Sequence, residues 1–458
     1  MTAAQRPDGQ PTPLDPAGEL RGLAGDCVHC GFCLPACPTY QLWGEEMDSP
    51  RGRIHLITQI LAGGGTAATV THLDRCLGCM ACVTACPSGV RYDRLLEAAR
   101  GWVEQAPADA GSPGPGAAAP PLPGRSPRDR AVRAVIFGLF PYPRRLRAAT
   151  FPLRVAQRTG LDTLIDRSGL AERLPVEIAT ALRLAPPPLA RRIPPPQAGA
   201  RSRRSPRGGL FRAGILPGRV PARGARRAVV GMLTGCVQQV FFPQANAATV
   251  NVLAAEGCDV IVPAGQGCCG ALSLHGGRRA EAARFARRAI ETFERAADLL
   301  AGDAGWSERA AALAGRVRDF SEFLAELGPV ARRHPLDLTV AYHDACHLAH
   351  AQRIIAQPRQ LLADIPRLRL AAIPDGGACC GSAGIYNLVQ PDPARELGQR
   401  KAAAVAAAGA DLLVSGNPGC AMQIASALAA RRITMPMAHV AEVLDASIRG
   451  TGSRALLG

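Results

Sequence analysis

The chain has 458 residues, of which 47% are hydrophobic, 4% aromatic and 20% charged. This length exceeds what one ordinary core organises, and the apolar fraction is large enough for two or three folded domains. The formal net charge is +16, and residues 121–228 carry 23 arginines against five acidic residues, so the rest of the chain is near neutral. Because the basic stretch carries no nucleic-acid-binding motif, the sequence argues against a nucleic-acid-binding function.

The N-terminal sequence MTAAQRPDGQPTPLDP is polar and rich in proline, which does not fit a secretory signal. No run of 18 apolar residues is present, and this argues against a membrane span. The 16 cysteines are regularly spaced, and thiolates used as metal ligands fit a reducing compartment. We therefore expect a cytoplasmic protein, either free or peripheral at the inner face of the cell membrane.

Residues 1–22 are predicted to form a disordered tail, and residues 23–104 hold two copies of the pattern C-x2-C-x2-C-x3-C-P. The copies consist of Cys27, Cys30, Cys33 and Cys37, and of Cys76, Cys79, Cys82 and Cys86. Three thiolates at two-residue gaps can wrap one corner of an iron–sulfur cube, while the fourth cysteine, with its proline, is directed away from it. Zinc binding and disulfides are the other chemistries open to these thiols, and two full copies disfavour both.

This spacing resembles that of bacterial two-cluster ferredoxins, in which the fourth cysteine of each motif ligates the other cluster. The resemblance implies two [4Fe–4S] clusters. It assigns the first cluster to Cys27, Cys30, Cys33 and Cys86, and the second to Cys76, Cys79, Cys82 and Cys37. The spacer of 38 residues between the motifs contains a predicted helix over residues 51–63. A long helical spacer resembles the α-helical ferredoxin domain of quinone-linked dehydrogenases.

Residues 105–226 are predicted to be a basic linker, rich in proline and glycine, that contains helical segments. Within it, residues 131–158 mix aromatic and aliphatic residues with arginines and contain no acid. Prolines 141, 143 and 152 are expected to break any long helix there. Two interpretations stay open: contact with an anionic membrane surface, or docking to the acidic side of a partner subunit.

From residue 227 onward, apolar runs typical of strands alternate with helical segments. The predicted strands are 228–236, 259–263, 338–346, 368–374 and 411–416, and the predicted helices are 244–257, 278–301 and 393–409. This alternation predicts a mostly parallel sheet. The fold class of the chain is therefore expected to be α/β, with an N-terminal α-helical ferredoxin-like domain and two α/β cysteine-rich repeats in the C-terminal half.

The two repeats are predicted to span residues 227–335 and 336–450. In each, a single cysteine at a strand end is followed, 32 or 33 residues later, by Cys-Cys-Gly in a glycine-rich loop. The repeats carry Cys236, Cys268 and Cys269, and Cys346, Cys379 and Cys380. They resemble the cysteine-rich CCG domains of heterodisulfide reductases and related dehydrogenase subunits, and this resemblance implies an unusual iron–sulfur centre.

The CCG family pattern ends each copy with a further C-x-x-C. Here the second copy keeps only Cys420, and the first has no cysteine after Cys269, where residues 294–311 replace the expected strand and loop. The second copy is thus the better candidate for a further centre, held by Cys346, Cys379, Cys380 and Cys420. Cys258, which precedes a predicted strand, is expected to be a buried structural residue.

His343, Asp344 and His347 surround Cys346. The two histidines could serve as a metal ligand or a proton donor beside the centre. The alternative is that the aspartate caps a helix and the imidazoles are ordinary neighbours. The sequence contains no G-x-G-x-x-G after a strand, no P-loop and no zincin helix. We therefore expect no flavin and no catalytic residue on this chain, so that a partner must oxidise the substrate.

Taken together, the chain resembles the iron–sulfur subunits of glycolate oxidase. The resemblance rests on segments such as CVHCGFCLPACPTYQLW, HLDRCLGCMACVTACPSG, TGCVQQVFFPQANAATVNVL and YHDACHLAHAQRI. It implies a complex with FAD-containing glycolate oxidase subunits that oxidise glycolate to glyoxylate, with electrons passing singly through this chain toward a membrane quinone. Related alternatives are the iron–sulfur subunit of a lactate or glycerol-3-phosphate dehydrogenase, and a heterodisulfide-reductase-like thiol/disulfide oxidoreductase.

Overall fold

The computed structural model describes residues 16–106, 122–161, 176–185, 216–296, 306–374 and 377–457. The chain divides into two compact units, the first ending at Ser126 and the second beginning at Pro127. The first unit is helical and the second is α/β, which confirms the predicted fold class. No helix within the described ranges combines the length and hydropathy that crossing a membrane requires.

The described part of the first unit consists of helices joined by short loops. They are α1 (Pro16–Gly25), α2 (Pro38–Trp43), α3 (Pro50–Leu61), α4 (Ala67–Asp74), α5 (Ala81–Thr84) and α6 (Tyr92–Gln105). Helix α3, predicted over residues 51–63, begins where the Ser49 side chain accepts a hydrogen bond from Gly52 N, with Pro50 in the first turn. Ile57, Leu73 and Leu95 are fully buried where α3, α4 and α6 meet.

The expected disorder over residues 1–22 is wrong for residues 16–22, which form the first part of α1. Leu20 and Ala24 are only 5% and 7% exposed and belong to the core that α3 and α6 also build. Burial of these apolar side chains offsets the entropy cost of ordering the helix. Residues 1–15 lie outside the described residues.

In the described part of the predicted linker, three helices belong to the second unit. They are α7 (Pro127–Leu139), α8 (Pro143–Thr159) and α9 (Val176–Leu184). Prolines 141 and 143 separate α7 from α8 as expected, but the expectation that Pro152 breaks the helix is wrong, because α8 continues through it. An internal proline costs about 3 kcal/mol. Packing offsets this cost, since Leu146 is buried and the Arg154 side chain donates a hydrogen bond to Val240 O at 2.5 Å.

The second unit contains two small sheets. The first has the order β1–β3–β2, formed by β1 (Arg219–Val220), β2 (Ala228–Gly231) and β3 (Cys258–Ile261). The second has the order β5–β4–β6–β7, formed by β4 (Leu338–His343), β5 (Leu368–Ala371), β6 (Leu412–Ser415) and β7 (Met437–Ala438). Strands β2 and β3 are parallel with Ala228 opposite Cys258, β1 is antiparallel to β3, and the second sheet is parallel throughout.

Helices alternate with these strands along the chain. Those before β4 are α10 (Gln238–Phe241), α11 (Pro243–Ala255), α12 (Ala271–His275), α13 (Arg279–Ala296), α14 (Trp306–Arg316) and α15 (Phe320–Leu327). Those after it are α16 (Ala356–Ala363), α17 (Tyr386–Val389), α18 (Pro391–Ala407), α19 (Pro418–Ala430), α20 (Val440–Arg449) and α21 (Arg454–Leu457), and His347–Ala351 forms a π-helical turn.

The strands and helices predicted in this half are found close to their predicted positions. The strands are shorter than predicted, because their last residues belong to the loops that carry the cysteines. The helix predicted over 278–301 is present as α13, and its residues 297–301 lie outside the described part of the chain. Both sheets contribute side chains to one core, so the two repeats form a single unit. Cysteine-bearing loops follow the carboxyl ends of parallel strands, which is where open α/β sheets place their ligands.

Candidate functional site

Five cysteines line one pocket of the first unit. They are Cys27, Cys30, Cys33, Cys82 and Cys86. The first three lie in the loop between α1 and α2, Cys82 lies in α5, and Cys86 lies in the loop before α6. The pocket therefore brings together the four cysteines assigned to the first cluster, although Cys86 is far along the sequence from the other three.

Both cysteine loops have the same backbone form. The residues on either side of the second cysteine have positive φ in each copy: His29 (53°) and Gly31 (84°) in the first, Gly78 (67°) and Met80 (64°) in the second. Left-handed backbone is unfavourable for residues such as His29 and Met80. Its recurrence at matching positions shows that both loops are wound in the same tight shape around their thiols.

Cys76 of the second motif is a buried thiol with two hydrogen-bond donors. The Cys76 Sγ accepts hydrogen bonds from Gly78 N at 3.3 Å and from the Tyr92 hydroxyl at 3.6 Å. Burial raises the pKa of the Cys82 thiol well above its usual range, and the nearby charges of Cys76, Cys37 and Cys33 raise it further. Burial also raises the pKa of Cys33, and the charge of Cys37 adds to this rise, so Cys37 is close to thiols of both motifs.

A buried arginine adjoins these thiols. Arg53 in α3 is fully buried, and its Nη2 donates to Thr39 Oγ1 at 3.1 Å and to Asp48 Oδ1 at 3.2 Å. Its Nη1 has no hydrogen-bond partner among the described atoms. Burial opposes ionisation of Cys76, but the charges of Arg53 and Arg100 outweigh it and lower the pKa of this thiol. A buried cation with a spare donor beside converging thiols fits an anionic metal cluster.

In the first cysteine-rich repeat, three thiols are adjacent. Cys236 follows β2, and Cys268 and Cys269 lie in the loop between β3 and α12. A hydrogen bond with Cys268 lowers the pKa of Cys236, and the same bond is the main reason why the pKa of Cys268 rises to about 11. Cys269 is exposed, and Cys258 is fully buried in β3, which confirms the prediction that Cys258 is a core residue.

In the second repeat, four thiols converge in the interior. Cys379, Cys380 and Cys420 are 5%, 1% and 8% exposed. A hydrogen bond with Cys379, together with burial, raises the pKa of Cys346. The pKa of Cys380 rises well above its usual range: although its hydrogen bond with Cys379 lowers the pKa, the bond with Cys420 and burial outweigh this effect. The arrangement brings together all four cysteines predicted for this copy.

The glycine of each Cys-Cys-Gly sequence is required by its surroundings. Gly270 and Gly381 have φ of 92° and 85°. A Cβ on Gly270 would lie 2.8 Å from Ala282 O, and one on Gly381 would lie 2.6 Å from Ala394 O. Each glycine N–H also donates to the first sulfur of its pair, at 3.3 Å to Cys268 and 3.4 Å to Cys379. The two loops are therefore held against the following helices in the same way.

Of the three polar residues around Cys346, only His343 is placed with the buried thiols. Its ring, Cys380 Sγ and Cys420 Sγ have donor atoms all within 4.8 Å of one another. Burial, with a further contribution from the charge of Lys401, lowers the pKa of His343 to about 3, so the imidazole is neutral at pH 7. Asp344 instead forms an ion pair with Arg359 at 2.6 Å.

His347 makes an edge contact with His275, with ring centroids 4.9 Å apart.

Sequence reasoning missed Arg53, Tyr92 and Lys401 as parts of these sites. Only Lys401 left a signal in the sequence: it is the one lysine in a chain whose other basic side chains are arginines. That residue is also fully buried.

Comparison with protein families agrees with this geometry. A family model of the 4Fe-4S dicluster domain matches residues 24–90. A second model, which describes the linker region of the glycolate oxidase iron-sulfur subunit, matches residues 128–185. A model of the cysteine-rich domain matches twice, at residues 230–305 and 340–425. The first match covers all eight N-terminal cysteines.

Curated relatives span most of the chain. A probable glycolate oxidase iron-sulfur subunit from Bacillus subtilis is 34% identical over 87% of this chain and 88% of its own length. The glycolate oxidase iron-sulfur subunit of Escherichia coli is 33% identical over 89% and 91%. Lactate utilization protein A from Shouchella clausii is 28% identical over only 47% of this chain. From its dicluster domain, its linker region, its two cysteine-rich repeats and these full-length relatives, the chain belongs to the family of glycolate oxidase iron–sulfur subunits.

Proposed function

We propose that this chain carries electrons within a complex that oxidises glycolate to glyoxylate. FAD-containing partner subunits take two electrons from glycolate, and this chain passes them on singly toward a membrane quinone. The family membership and the full-length relatives named as glycolate oxidase subunits support this proposal. The observation that carries it is the convergence of cysteines from both motifs on one pocket.

The ligand sets proposed for two [4Fe–4S] clusters follow the crossed pattern. The first is Cys27, Cys30, Cys33 and Cys86, and the second is Cys76, Cys79, Cys82 and Cys37. Such a cluster, when bound, supplies a one-electron redox centre. The chain's own contribution is to hold the thiols in tight loops and to place a buried positive charge, Arg53, beside Cys37 and Cys76.

A further iron–sulfur centre is proposed for the second cysteine-rich repeat, held by Cys346, Cys379, Cys380 and Cys420. Its support is the burial of Cys379, Cys380 and Cys420 and the hydrogen bonds that link the four thiols. In the first repeat, Cys236, Cys268 and Cys269 are adjacent, but no fourth thiol joins them among the described residues. The first repeat is therefore the weaker candidate.

Purification of the complex tests the function most simply. The chain should co-purify with a flavoprotein, and the complex should reduce an artificial dye with glycolate as the electron donor. Lactate and glycerol 3-phosphate serve as the competing substrates, because part of the chain is similar to lactate utilization proteins. Faster dye reduction with either competitor would show that this competitor, and not glycolate, is the substrate. Reduction of disulfides by the chain without a flavoprotein would contradict the proposed function.

Peripheral membrane contact is proposed for the outer face of α8. Phe151 is 66% exposed and Val155 is 43% exposed, one helical turn apart, and Arg144 and Arg158 are exposed on the same helix. Apolar side chains with flanking arginines suit an anionic lipid surface, where each arginine contributes about 1 kcal/mol. Arg147 is not available for this contact, because its Nη2 donates to Gln239 Oε1 at 2.9 Å.

Flotation with phosphatidylglycerol vesicles tests this contact. The complex should bind at low salt and dissociate at high salt, because the attraction is screened. Substituting Arg144→Glu and Arg158→Glu together should abolish binding, whereas Arg332→Glu with Arg432→Glu, exposed elsewhere on the same unit, should have little effect. Equal loss from both pairs would indicate a non-specific charge effect, and loss from neither would exclude α8 as the membrane contact.

A further inference from the structure

A buried group of metal-ligating side chains in the second repeat includes a histidine. His343 is the last residue of β4, Cys380 lies in the loop after β5, and Cys420 lies in the first turn of α19 after β6. Strands β4, β5 and β6 are adjacent and parallel, so their carboxyl ends bring these three residues to one place. Their donor atoms all lie within 4.8 Å of one another.

The imidazole of His343 lacks the hydrogen bonds that burial requires. The residue is completely buried, and neither Nδ1 nor Nε2 has a hydrogen-bond partner among the described atoms. Each unsatisfied buried polar group costs about 1–3 kcal/mol, and buried polar groups in native proteins are nearly always paired. A metal ion bound to one ring nitrogen would satisfy that nitrogen and would also explain why the ring lies beside two thiols.

We propose that His343 is a metal ligand in the second repeat, which together with Cys380 and Cys420 forms a mixed imidazole–thiolate site for a thiophilic metal. The metal is iron, as part of an iron–sulfur centre, or zinc, because both accept sulfur and imidazole donors. This inference rests on the centre proposed above for the second repeat and adds a ligand that is not a cysteine. The buried ammonium of Lys401 lies close enough for its charge to act on His343 and Cys346, and it offsets the negative charge of several thiolates.

The first repeat provides an internal comparison. Leu233 stands three residues before Cys236, where His343 stands three residues before Cys346. Leu233 is 46% exposed, and the second cysteine of the first pair, Cys269, is exposed, whereas its counterpart Cys380 is 1% exposed. The mixed site requires a buried imidazole beside a buried cysteine pair. The second repeat has both features, and the described part of the first repeat lacks this combination.

Metal analysis of the full-length chain, purified anaerobically and loaded with either iron and sulfide or zinc, tests the site. Beyond the about eight irons of two N-terminal clusters, the wild-type chain should hold additional metal. Cys420→Ser and His343→Phe should each remove this additional metal and leave the N-terminal iron in place. Cys258→Ser, at a core cysteine of the first repeat that belongs to neither thiol group, is the control and should retain it.

Spectroscopy of the wild-type chain identifies the ligand without a substitution. For iron, pulsed electron paramagnetic resonance of a chain labelled with 15N only in histidine should show the strong nitrogen coupling of a direct ligand, and His347→Phe should preserve it. For zinc, X-ray absorption should show a nitrogen at about 2.0–2.1 Å beside sulfur at about 2.3 Å.

Additional metal with sulfur ligands alone would exclude His343 and leave the cysteine centre intact. Absence of any additional metal would overturn both the inference and the proposed centre in the second repeat. Neither result would touch the electron transfer proposed for the two N-terminal clusters, because their iron and their signals are measured separately in the same samples.

Discussion

Arg53 Nη2 lies 3.2 Å from Asp48 Oδ1 in the interior of the first unit, and neither side chain is exposed to solvent. Asp48 also accepts from Arg75 at 2.8 Å and lies 3.0 Å from His72 Nδ1, so one buried carboxylate connects α3 with α4. Leaving a buried charge wholly unpaired costs about 3–5 kcal/mol. Because Asp48 keeps Arg75 and His72 as partners, we expect Arg53→Met to destabilise the first unit by less than this, about 1–3 kcal/mol, in urea unfolding monitored by circular dichroism.

Arg51, two residues earlier on the same helix, is the control for this prediction. Its ion pair with Glu46 is half exposed, with 31% and 40% of the two side chains accessible. An exposed pair contributes about 0–1 kcal/mol, so Arg51→Met should change the unfolding free energy little. Equal effects of the two substitutions would show that burial of Arg53 is not what makes its ion pair important.

The crossed ligand sets predict which cluster each cysteine substitution damages. Cys86 is the last cysteine of the second motif but lines the same pocket as Cys27, Cys30 and Cys33. Cys86→Ser should therefore perturb the cluster of Cys27, Cys30 and Cys33, and Cys37→Ser should perturb the cluster of the second motif. Electron paramagnetic resonance of the reduced variants distinguishes the two signals, with Cys258→Ser as a control outside both sets. If each substitution alters the cluster of its own motif, the crossed assignment is wrong.

The Cys-Cys-Gly loop of the second repeat should not tolerate a side chain at Gly381. Alanine there meets both a φ of 85° and a contact of 2.6 Å to Ala394 O. Gly409 separates these effects, because its φ is 61° and a Cβ on it would have no neighbouring atom within 4 Å. Gly409→Ala therefore costs only the about 1–2 kcal/mol of left-handed backbone.

The close contact should add about 1–3 kcal/mol for Gly381→Ala. Thermal unfolding of both variants checks this difference. Similar losses for Gly381→Ala and Gly409→Ala would mean that the loop can move away from α18, and that the packing against Ala394 does not restrict it.

The lowered pKa of the partly buried His439 predicts a loss of stability in mild acid. Burial lowers the pKa of His439 to about 4. Below pH about 6.5 the unfolded chain binds a proton that the folded chain does not take up until pH about 4, so the free energy of unfolding falls across this interval. The contribution from this residue is at most about 1.4 kcal/mol for each pH unit.

The His439→Asn substitution isolates this effect. The His439 Nδ1 accepts from Ala441 N at 3.1 Å at the start of α20, and asparagine can cap a helix in the same way without titrating. The variant should lose less stability than the wild type between pH 7 and pH 5 in urea unfolding. An unchanged pH dependence would assign the acid sensitivity to other groups.

Sequence reasoning located most of the elements, because local patterns determine them. The cysteine spacing indicated the tight loops of the first unit, and apolar runs indicated β2 to β6. Pro152 shows where this reasoning fails. The rule that proline breaks a helix considers only local sequence. Helix α8 is held instead by contacts with distant parts of the chain, which bury Leu146 and bond Arg154 to Val240 O.

The candidate sites were predictable only for their cysteines. Arg53 and Asp48 are ordinary surface residue types, and nothing in their neighbourhood in the sequence indicates that both are completely buried. His343 could be proposed beside Cys346 from its position in YHDAC, but its approach to Cys380 and Cys420 depends on the order of the strands β5–β4–β6. Such tertiary juxtapositions require the fold.

Reduction of the chain by substrate tests the central claim most directly. The complex is mixed anaerobically with glycolate, frozen at increasing times, and examined by electron paramagnetic resonance. The account predicts that the signals of the two N-terminal clusters appear within the turnover time of the complex, and that they do not appear when the flavin subunit is omitted. Clusters that stay oxidised while glyoxylate accumulates would contradict the claim that this chain carries the electrons.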